Sequence, residues 1–337
     1  MNRVGLLLSA VLAVALLAPA VSDAALPSLP GGIPGGAGIT QYMPKDSTVV
    51  ISLNVSKLAD AGLFEMVGDM ANNMDDLEGL EALGVDIEKD IKQVMFALVV
   101  NAEDFEEDPE VYVAFAGNLP SEEKFVKVYT EEEGKAPDSK QIKGKTVFDI
   151  DGEVQMCFLP GVVLLVPTED AESDITKMLA GATGSMTANP ALASLMGDVN
   201  TKATVWAVVN VTKEIREAIA EEGDAEGMPF DITALKTVAA SFDYAENVSL
   251  DVTMNFDNGE TPASLVEEFN MQAKQGAEAM AQMMPDIAKL MGAIKAEADG
   301  TKAKIGMKLG REEFDAAVES VIGMMFGSMM GGPGPVE

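Results

Sequence analysis

The chain contains no histidine, one cysteine and one tryptophan among its 337 residues. Each scarcity removes a class of chemistry. Without imidazole there is no Ser-His-Asp or Cys-His nucleophile and no His-dependent metal site. With Cys157 alone there is no internal disulfide, no cysteine-cluster zinc centre and no iron–sulfur ligation. Cys157 lies in the apolar run Val154–Leu159 and reads as a buried, inert thiol. Basic residues are few as well: 23 Lys and Arg face 55 Asp and Glu, a net charge of −32. Nucleic-acid affinity rests on basic groups that displace counterions, so nucleic acid is not an expected partner. No GxxxxGK[ST] or GxSxG motif occurs, and the glycines of Gly31–Gly38 follow no strand, so they form a linker and not a phosphate cradle. Long hydrophobic runs are missing after the first twenty residues. Val162–Val166 is too short to span a bilayer, so no integral membrane segment is expected once the leader is removed.

The leader itself is clear. Arg3 supplies a positive start, Val4–Leu17 an apolar run, and Ser22-Asp23-Ala24 small residues at the −3 and −1 positions. That is the build of a secretory signal peptide, residues 1–24, cleaved after Ala24. The run is about 14 residues, short of the roughly 20 that a spanning helix needs. No Cys follows it, so a lipid anchor is excluded. The expected destination is periplasmic or extracellular, in a bacterium. Residues 25–40 contain LPSLPGGIPGGAG and read as a Pro/Gly-rich linker, and 331–337 as a flexible tail.

Between these ends the sequence repeats itself. Thr48-Val49-Val50-Ile51-Ser52-Leu53-Asn54-Val55-Ser56-Lys57 recurs as Thr204-Val205-Trp206-Ala207-Val208-Val209-Asn210-Val211-Thr212-Lys213. At a second offset Val111, Val113 and Phe115 align with Val252, Met254 and Phe256. A weaker third block pairs Val162, Leu164 and Val166 with Ile305, Met307 and Leu309. Three blocks in one order predict two related units, 41–185 and 186–330. Each begins with a β-branched strand, Thr48–Val55 or Thr204–Val211, with Ser56 or Thr212 placed to cap a following helix. Two strands follow: Val94–Val100 and Glu110–Ala116 in the first unit, Leu235–Tyr244 and Val248–Phe256 in the second. A helix comes next (from Ser121 or Thr261). The first unit adds a meander, Thr146–Ile150, Gln155–Leu159 and Val162–Val166, and a last helix closes each unit (Glu169–Leu179; Arg311–Ile322). Alternation along Val111–Phe115 and Leu250–Phe256 indicates half-buried antiparallel strands. The expected class is α+β: two related units of antiparallel sheet with packed helices.

Candidate chemistry is thin. Carboxylates are too numerous for any pair to be informative, and four Tyr and one Trp offer little to stack sugars, so no catalytic residue is assigned and the chain is not expected to be an enzyme. The turn Glu103–Asp108 reads as a solvated loop rather than a calcium site. Asp149-Ile150-Asp151-Gly152 begins like a calcium loop, but its twelfth position is Pro160. No metal and no cofactor are expected. The triplets at Asn54, Asn210 and Asn247 read as strand ends and helix caps rather than glycan acceptors. The 22 methionines are the positive feature. A helical pattern runs from Leu265 to Ile294, with Pro285 expected to kink or split it. On it Met280, Met284, Ile287 and Met291 form the candidate surface for an apolar ligand or partner, softened by Met283, Met324, Met325, Met329 and Met330.

The stretches TVVISLNVSKL (from Thr48), LPSEEKFVKVY (from Leu119) with IKGKTVFDI (from Ile142), and ANPALASLMGDVNTKATVWAVVNV (from Ala188) resemble a family of uncharacterised exported bacterial proteins with a duplicated α+β unit. The resemblance implies fold, export and duplication; it implies no reaction. The reading that results is an exported, non-enzymatic binding or structural protein of the cell envelope, its partner an envelope component, with a periplasmic carrier of a lipid or other hydrophobic ligand as the alternative.

Overall fold

The computed structural model describes residues 37–61, 83–100, 109–150, 152, 154–168, 171–180, 184–221 and 232–330. The expected signal peptide, nearly all of the expected linker, the expected tail, the turn Glu103–Asp108, and Leu63, Met66, Val67 and Met70, which are expected on one face of the helix after the first strand, lie outside these.

Twelve strands run β1 Val49–Asn54, β2 Ile91–Val99, β3 Glu110–Gly117, β4 Ser139–Ile142, β5 Lys145–Ile150, β6 Val154–Leu159, β7 Val162–Pro167, β8 Val205–Asn210, β9 Leu235–Tyr244, β10 Asn247–Phe256, β11 Lys295–Asp299 and β12 Lys302–Gly310. The helices are α1 Ala37–Thr40, α2 Val55–Asp60, α3 Ile87–Asp90, α4 Glu122–Glu133, α5 Ala171–Leu179, α6 Pro190–Leu195, α7 Lys213–Glu221, α8 Glu260–Met280, α9 Pro285–Ala293 and α10 Arg311–Met330. Helix α1 falls inside the expected linker, and Ile39 and Thr40 are already buried there. Local chemistry places the ends. Ser121 caps α4 by accepting from Lys124 N, and Gly134 closes it at φ 71°. Pro285 opens α9 and divides the long methionine-rich pattern into α8 and α9. Helix α2 is capped by Asn54, whose side chain accepts from Lys57 N, and not by Ser56. In the second half Thr212 does accept from Ile215 N, at 3.4 Å.

The class is α+β as expected, but the two halves do not form separate sheets. All twelve strands join one antiparallel sheet in the order β11-β12-β10-β9-β8-β1-β2-β3-β7-β6-β5-β4. The junction is β1 against β8, with Ile51 opposite Ala207. That pair stands at the same offset that aligns Thr48 with Thr204, so a local two-fold axis passes through it. The bonds Asn54 N to Thr204 O and Asn210 N to Thr48 O, 2.8 Å each, are exchanged by this axis. So are two side-chain bonds: Thr48 Oγ1 accepts from Val100 N, and Thr204 Oγ1 from Tyr244 N. Both outer edges, β4 (SKQI) and β11 (KAEAD), are short and carry charge, which discourages further strand addition.

The two faces differ. On one, which we call the helical face, Phe125 of α4 packs with Val94, Phe148 and Phe158, Ile215 and Leu265 of α7 and α8 with Val238 and Met254, and Phe314 and Val318 of α10 with Phe242 and Met307. On the reverse face, α5 and the segment 186–199 cover β1, β2, β3, β7 and β8 through Ile175, Met178, Leu192 and Leu195 against Met95, Ala114, Leu164 and Trp206. No described helix packs on the reverse face of β10, β12 and β11.

Candidate functional site

Alternation decides what that uncovered area presents. In β12 the residues Ala303, Ile305, Met307 and Leu309 face the helices, so Lys302, Lys304, Gly306 and Lys308 face outward. Register then sets their neighbours. One row reads Ser241–Asp251–Gly306–Lys295, a second Ala239–Thr253–Lys304–Glu297, and a third Asp243–Ser249–Lys308. Lys302 is tied to Asp198 at 2.9 Å, which pins the end of the covering segment to β12. Lys295, Lys304 and Lys308 are exposed and make no ion pair with a described residue. In a chain of net charge −32 these three ammonium groups, interleaved with Asp243, Asp251 and Glu297, make this face of mixed charge rather than purely acidic. An open depression of about 560 Å³ borders them, lined by Asp251, Thr253, Lys295, Glu297, Lys304, Gly306 and Lys308 together with Gly292 and Ala293 of α9 and Val252, Ile305 and Met307. A second, of about 430 Å³, continues it past Asp243, Asn247 and Ser249.

Gly306 gives this surface its low point. A Cβ there would meet the Asp251 carboxylate at 3.6 Å, so that carboxylate leans over the glycine. Asp251 is exposed, but partial desolvation among its strand neighbours raises its pKa above the usual value of 3.8. The folded state therefore holds this proton more tightly than the unfolded chain does. Stability tied to it is present below pH 3.8 and is lost as pH rises through the raised folded value. Asp251→Asn should raise the urea midpoint at pH 7, with the gain shrinking as pH falls toward 3.8. An equal gain at both pH values would refute the assignment.

The residues singled out from sequence are distributed differently. Met280 and Met284 are half-buried and stand in one turn: the Met280 carbonyl accepts from Met283 N at 3.1 Å and Met284 N at 2.7 Å. Ile287 is core, 8% exposed. Met291 is spent on helix packing. Its Cε would lie 2.1 Å from a Cβ on Gly276, so α9 approaches α8 through the notch that this glycine leaves. The four residues thus line no common groove with one another in either described depression. Sequence reading missed Lys295, Lys304 and Lys308; Met283, expected to soften the candidate surface, is 71% exposed. The signal for the lysines was the strict alternation of KAKIGMKLG.

Two acids do meet inside the protein. The Tyr112 hydroxyl lies 2.6 Å from Glu110 Oε2 and 2.6 Å from Asp174 Oδ2, and Lys177 Nζ donates to Asp174 at 2.9 Å. Burial first, and then the two carboxylates, hold the Tyr112 phenol far above its ordinary range. Tyr112 is 2% and Asp174 8% exposed, so the cluster latches α5 to β3 and faces no cleft. Tyr112→Phe should cost about 1–3 kcal/mol by leaving Asp174 short of a donor, read as a lower urea midpoint. Cys157 is wholly buried, and burial pushes its thiol up to about 11. Among the described residues no three His, Cys, Asp or Glu side chains are grouped to hold a metal ion, and no helix is long and apolar enough to cross a membrane.

Three structures of TP0453, a Treponema pallidum protein, align with this chain. Crystal form III covers 85% of this chain and 99% of its own at 8% identity, with a TM-score of 0.49. Crystal form I covers 85% and 98% at 9% identity and 0.47, and crystal form IV 85% and 97% at 7% identity and 0.47. No protein-family model matches the chain, and no curated protein does.

Proposed function

We propose that this is an exported, non-enzymatic binding or structural protein of the bacterial cell envelope. In this reading residues 1–24 are removed on export, and the units 41–185 and 186–330 descend from one ancestral α+β unit. The working surface is the open half of the reverse face. The observation that carries it is the polar end of the sheet, where Lys295, Lys304 and Lys308 rise from outer strands that no described helix covers on that face. The duplication is supported by the dyad through Ile51 and Ala207 and by the matched roles of Thr48 and Thr204. The carrier alternative has no apolar cavity among the described depressions behind it.

Amine-reactive labelling of intact envelopes against purified protein tests the surface. Lys304 and Lys308 should be labelled strongly when purified and protected in the envelope. Lys89 and Lys127, with side chains 79% and 73% exposed elsewhere on the molecule, should be labelled equally in both. Equal labelling of all four would defeat the proposal. Mass spectrometry of the same material should find Ala25 as the first residue.

A further inference from the structure

Asn258-Gly259 is the one Asn-Gly pair in the sequence, and it stands where β10 passes into α8. Each residue has its own structural reason. Gly259 has φ −94° and ψ −6°, which any residue adopts, but a Cβ on it would lie 3.3 Å from Gly300 O in the β11–β12 turn. With no side chain there, the cap comes from one residue earlier. Asn258 Oδ1 accepts from Glu260 N at 3.1 Å, Thr261 N at 2.9 Å and Thr261 Oγ1 at 3.0 Å. Close approach of two backbones demands the glycine, and the open helix end demands the acceptor. Together they form a pair prone to cyclise, because no Cβ shields the Gly259 nitrogen from the carboxamide beside it. Both residues are exposed to water.

We infer that Asn258 is a deamidation site gated by the first turn of α8. The Gly259 nitrogen attacks Asn258 Cγ and bonds to it. The Gly259 amide proton leaves to solvent, and the side-chain nitrogen takes one up and departs as ammonia. Water then opens the succinimide ring. Opening at the side-chain carbonyl gives aspartate, which still caps and adds a charge favourable at a helix start. Opening at the backbone carbonyl gives isoaspartate, whose main chain is one carbon longer. The segment has no slack for that carbon. Before it, Phe256 N donates to Thr301 O and Asp257 N to Ala234 O, 2.8 Å each, and Asp257 is ion-paired with Arg216 and Lys236. After it, Gly259 lies against Gly300. The isoaspartate product therefore loses the cap and loosens the start of α8. In the intact protein the three donors hold the carboxamide toward the helix, so cyclisation waits for that turn to open. The turn can open alone, because farther along α8 is anchored by buried Leu265 and by two bonds between Asn270 and Ala296, 2.9 and 3.1 Å.

The purified full chain is incubated at neutral and at mildly alkaline pH, and its peptides are mapped by mass spectrometry at intervals. The peptide holding Asn258 should gain the amide-to-acid mass difference as two chromatographic species, aspartate and isoaspartate, faster at the higher pH. Asn200 and Asn247, also exposed but followed by Thr201 and Val248, should stay unchanged. Thr261→Ala removes one donor of the gate and should speed the conversion about two- to tenfold. After brief deuterium exchange of the intact aged protein, the isoaspartate peptide should carry more label over 260–264 than the aspartate peptide. No conversion at Asn258, or conversion no faster than at Asn200 and Asn247, would overturn the inference. So would a Thr261→Ala rate equal to or below the original, or equal exchange in the two products. A circular dichroism melt checks that Thr261→Ala is folded; if it is not, the three asparagines and the two products of the unmutated chain decide.

Discussion

Trp206→Ala should destabilise the protein by about 3–5 kcal/mol, while Trp206→Phe should cost about 1 kcal/mol or less. The indole is 1% exposed at the middle of the sheet, on the reverse face of β8. Its cross-strand neighbours are Ser52 on β1 and Ser241 on β9, two small side chains that make room for it. Leu192, Leu195 and Val199 belong to the same cluster and close it from above. Truncation to alanine leaves a cavity walled by strand backbones that cannot collapse, which is the expensive case for a large-to-small change. Phenylalanine keeps most of the ring. It also deletes the indole Nε1–H, which is buried without a described partner, and an orphaned buried donor costs about 1–3 kcal/mol. The two effects oppose each other in the Phe variant and not in the Ala variant. Urea unfolding followed by circular dichroism measures both, since the change removes the chain's one tryptophan. Equal losses for Phe and Ala would mean that the N–H has a partner and that ring volume is not what holds the junction.

Much of this architecture was legible in the residues. Leu235–Tyr244 was bounded correctly at both ends because β-branched and aromatic residues alternate between clear turns. Pro285 divided the helical pattern where it had to. Three strands were not assigned: β12, which the third repeat block touched without naming a strand, and β4 and β11, for one reason. SKQI and KAEAD have little strand propensity of their own. They become strands by pairing with a neighbour through a tight turn, and in β11 the readable clue was Asp299-Gly300, with Gly300 at φ 59°. The larger surprise was the union of two expected sheets into one. The strands β1 and β8 read as alike, and a likeness of sequence does not say that the two must pair. That contact depends on an open edge in each half, which is a property of the folded units and not of either segment.

The surface was harder to read than the fold. Val162, Leu164 and Val166 aligned weakly with Ile305, Met307 and Leu309, and β7 and β12 do occupy matching places in the sheet order. Their patterns nonetheless differ in the way that matters. A continuous apolar run belongs to a strand covered on both faces, and β7 is. Alternating lysines belong to a strand with one wet face, and β12 has one. Helix α5 packs on the reverse face after β7, whereas α10 crosses to the helical face after β12. The polar half-face exists because of that difference. Among the candidate methionines, periodicity could not tell that Met291 would be consumed by the notch at Gly276.

Asp243→Ala should cost about 3–4 kcal/mol, more than any exposed ion pair would suggest. One carboxylate oxygen of Asp243 accepts from Lys57 Nζ at 2.6 Å, from Thr204 N at 3.1 Å and from Thr204 Oγ1 at 3.2 Å. Thr204 is wholly buried, so its backbone N–H has no water to turn to when the acceptor leaves. That orphaned donor supplies most of the loss. Lys57 supplies less, because its side chain is 35% exposed and can be solvated. The cluster joins α2 of the first half to β8 and β9 of the second, 186 residues apart in sequence for Lys57 and Asp243. Removing it therefore weakens the junction between halves rather than one unit alone. Asp243→Asn separates the contributions. An amide oxygen still serves Thr204 but carries no charge for Lys57, so this variant should lose about 1 kcal/mol or less, and its loss should fade at high salt. A folded Asp243→Ala protein with an unchanged urea midpoint would show that Thr204 finds another acceptor and that the two halves are held by strand pairing alone.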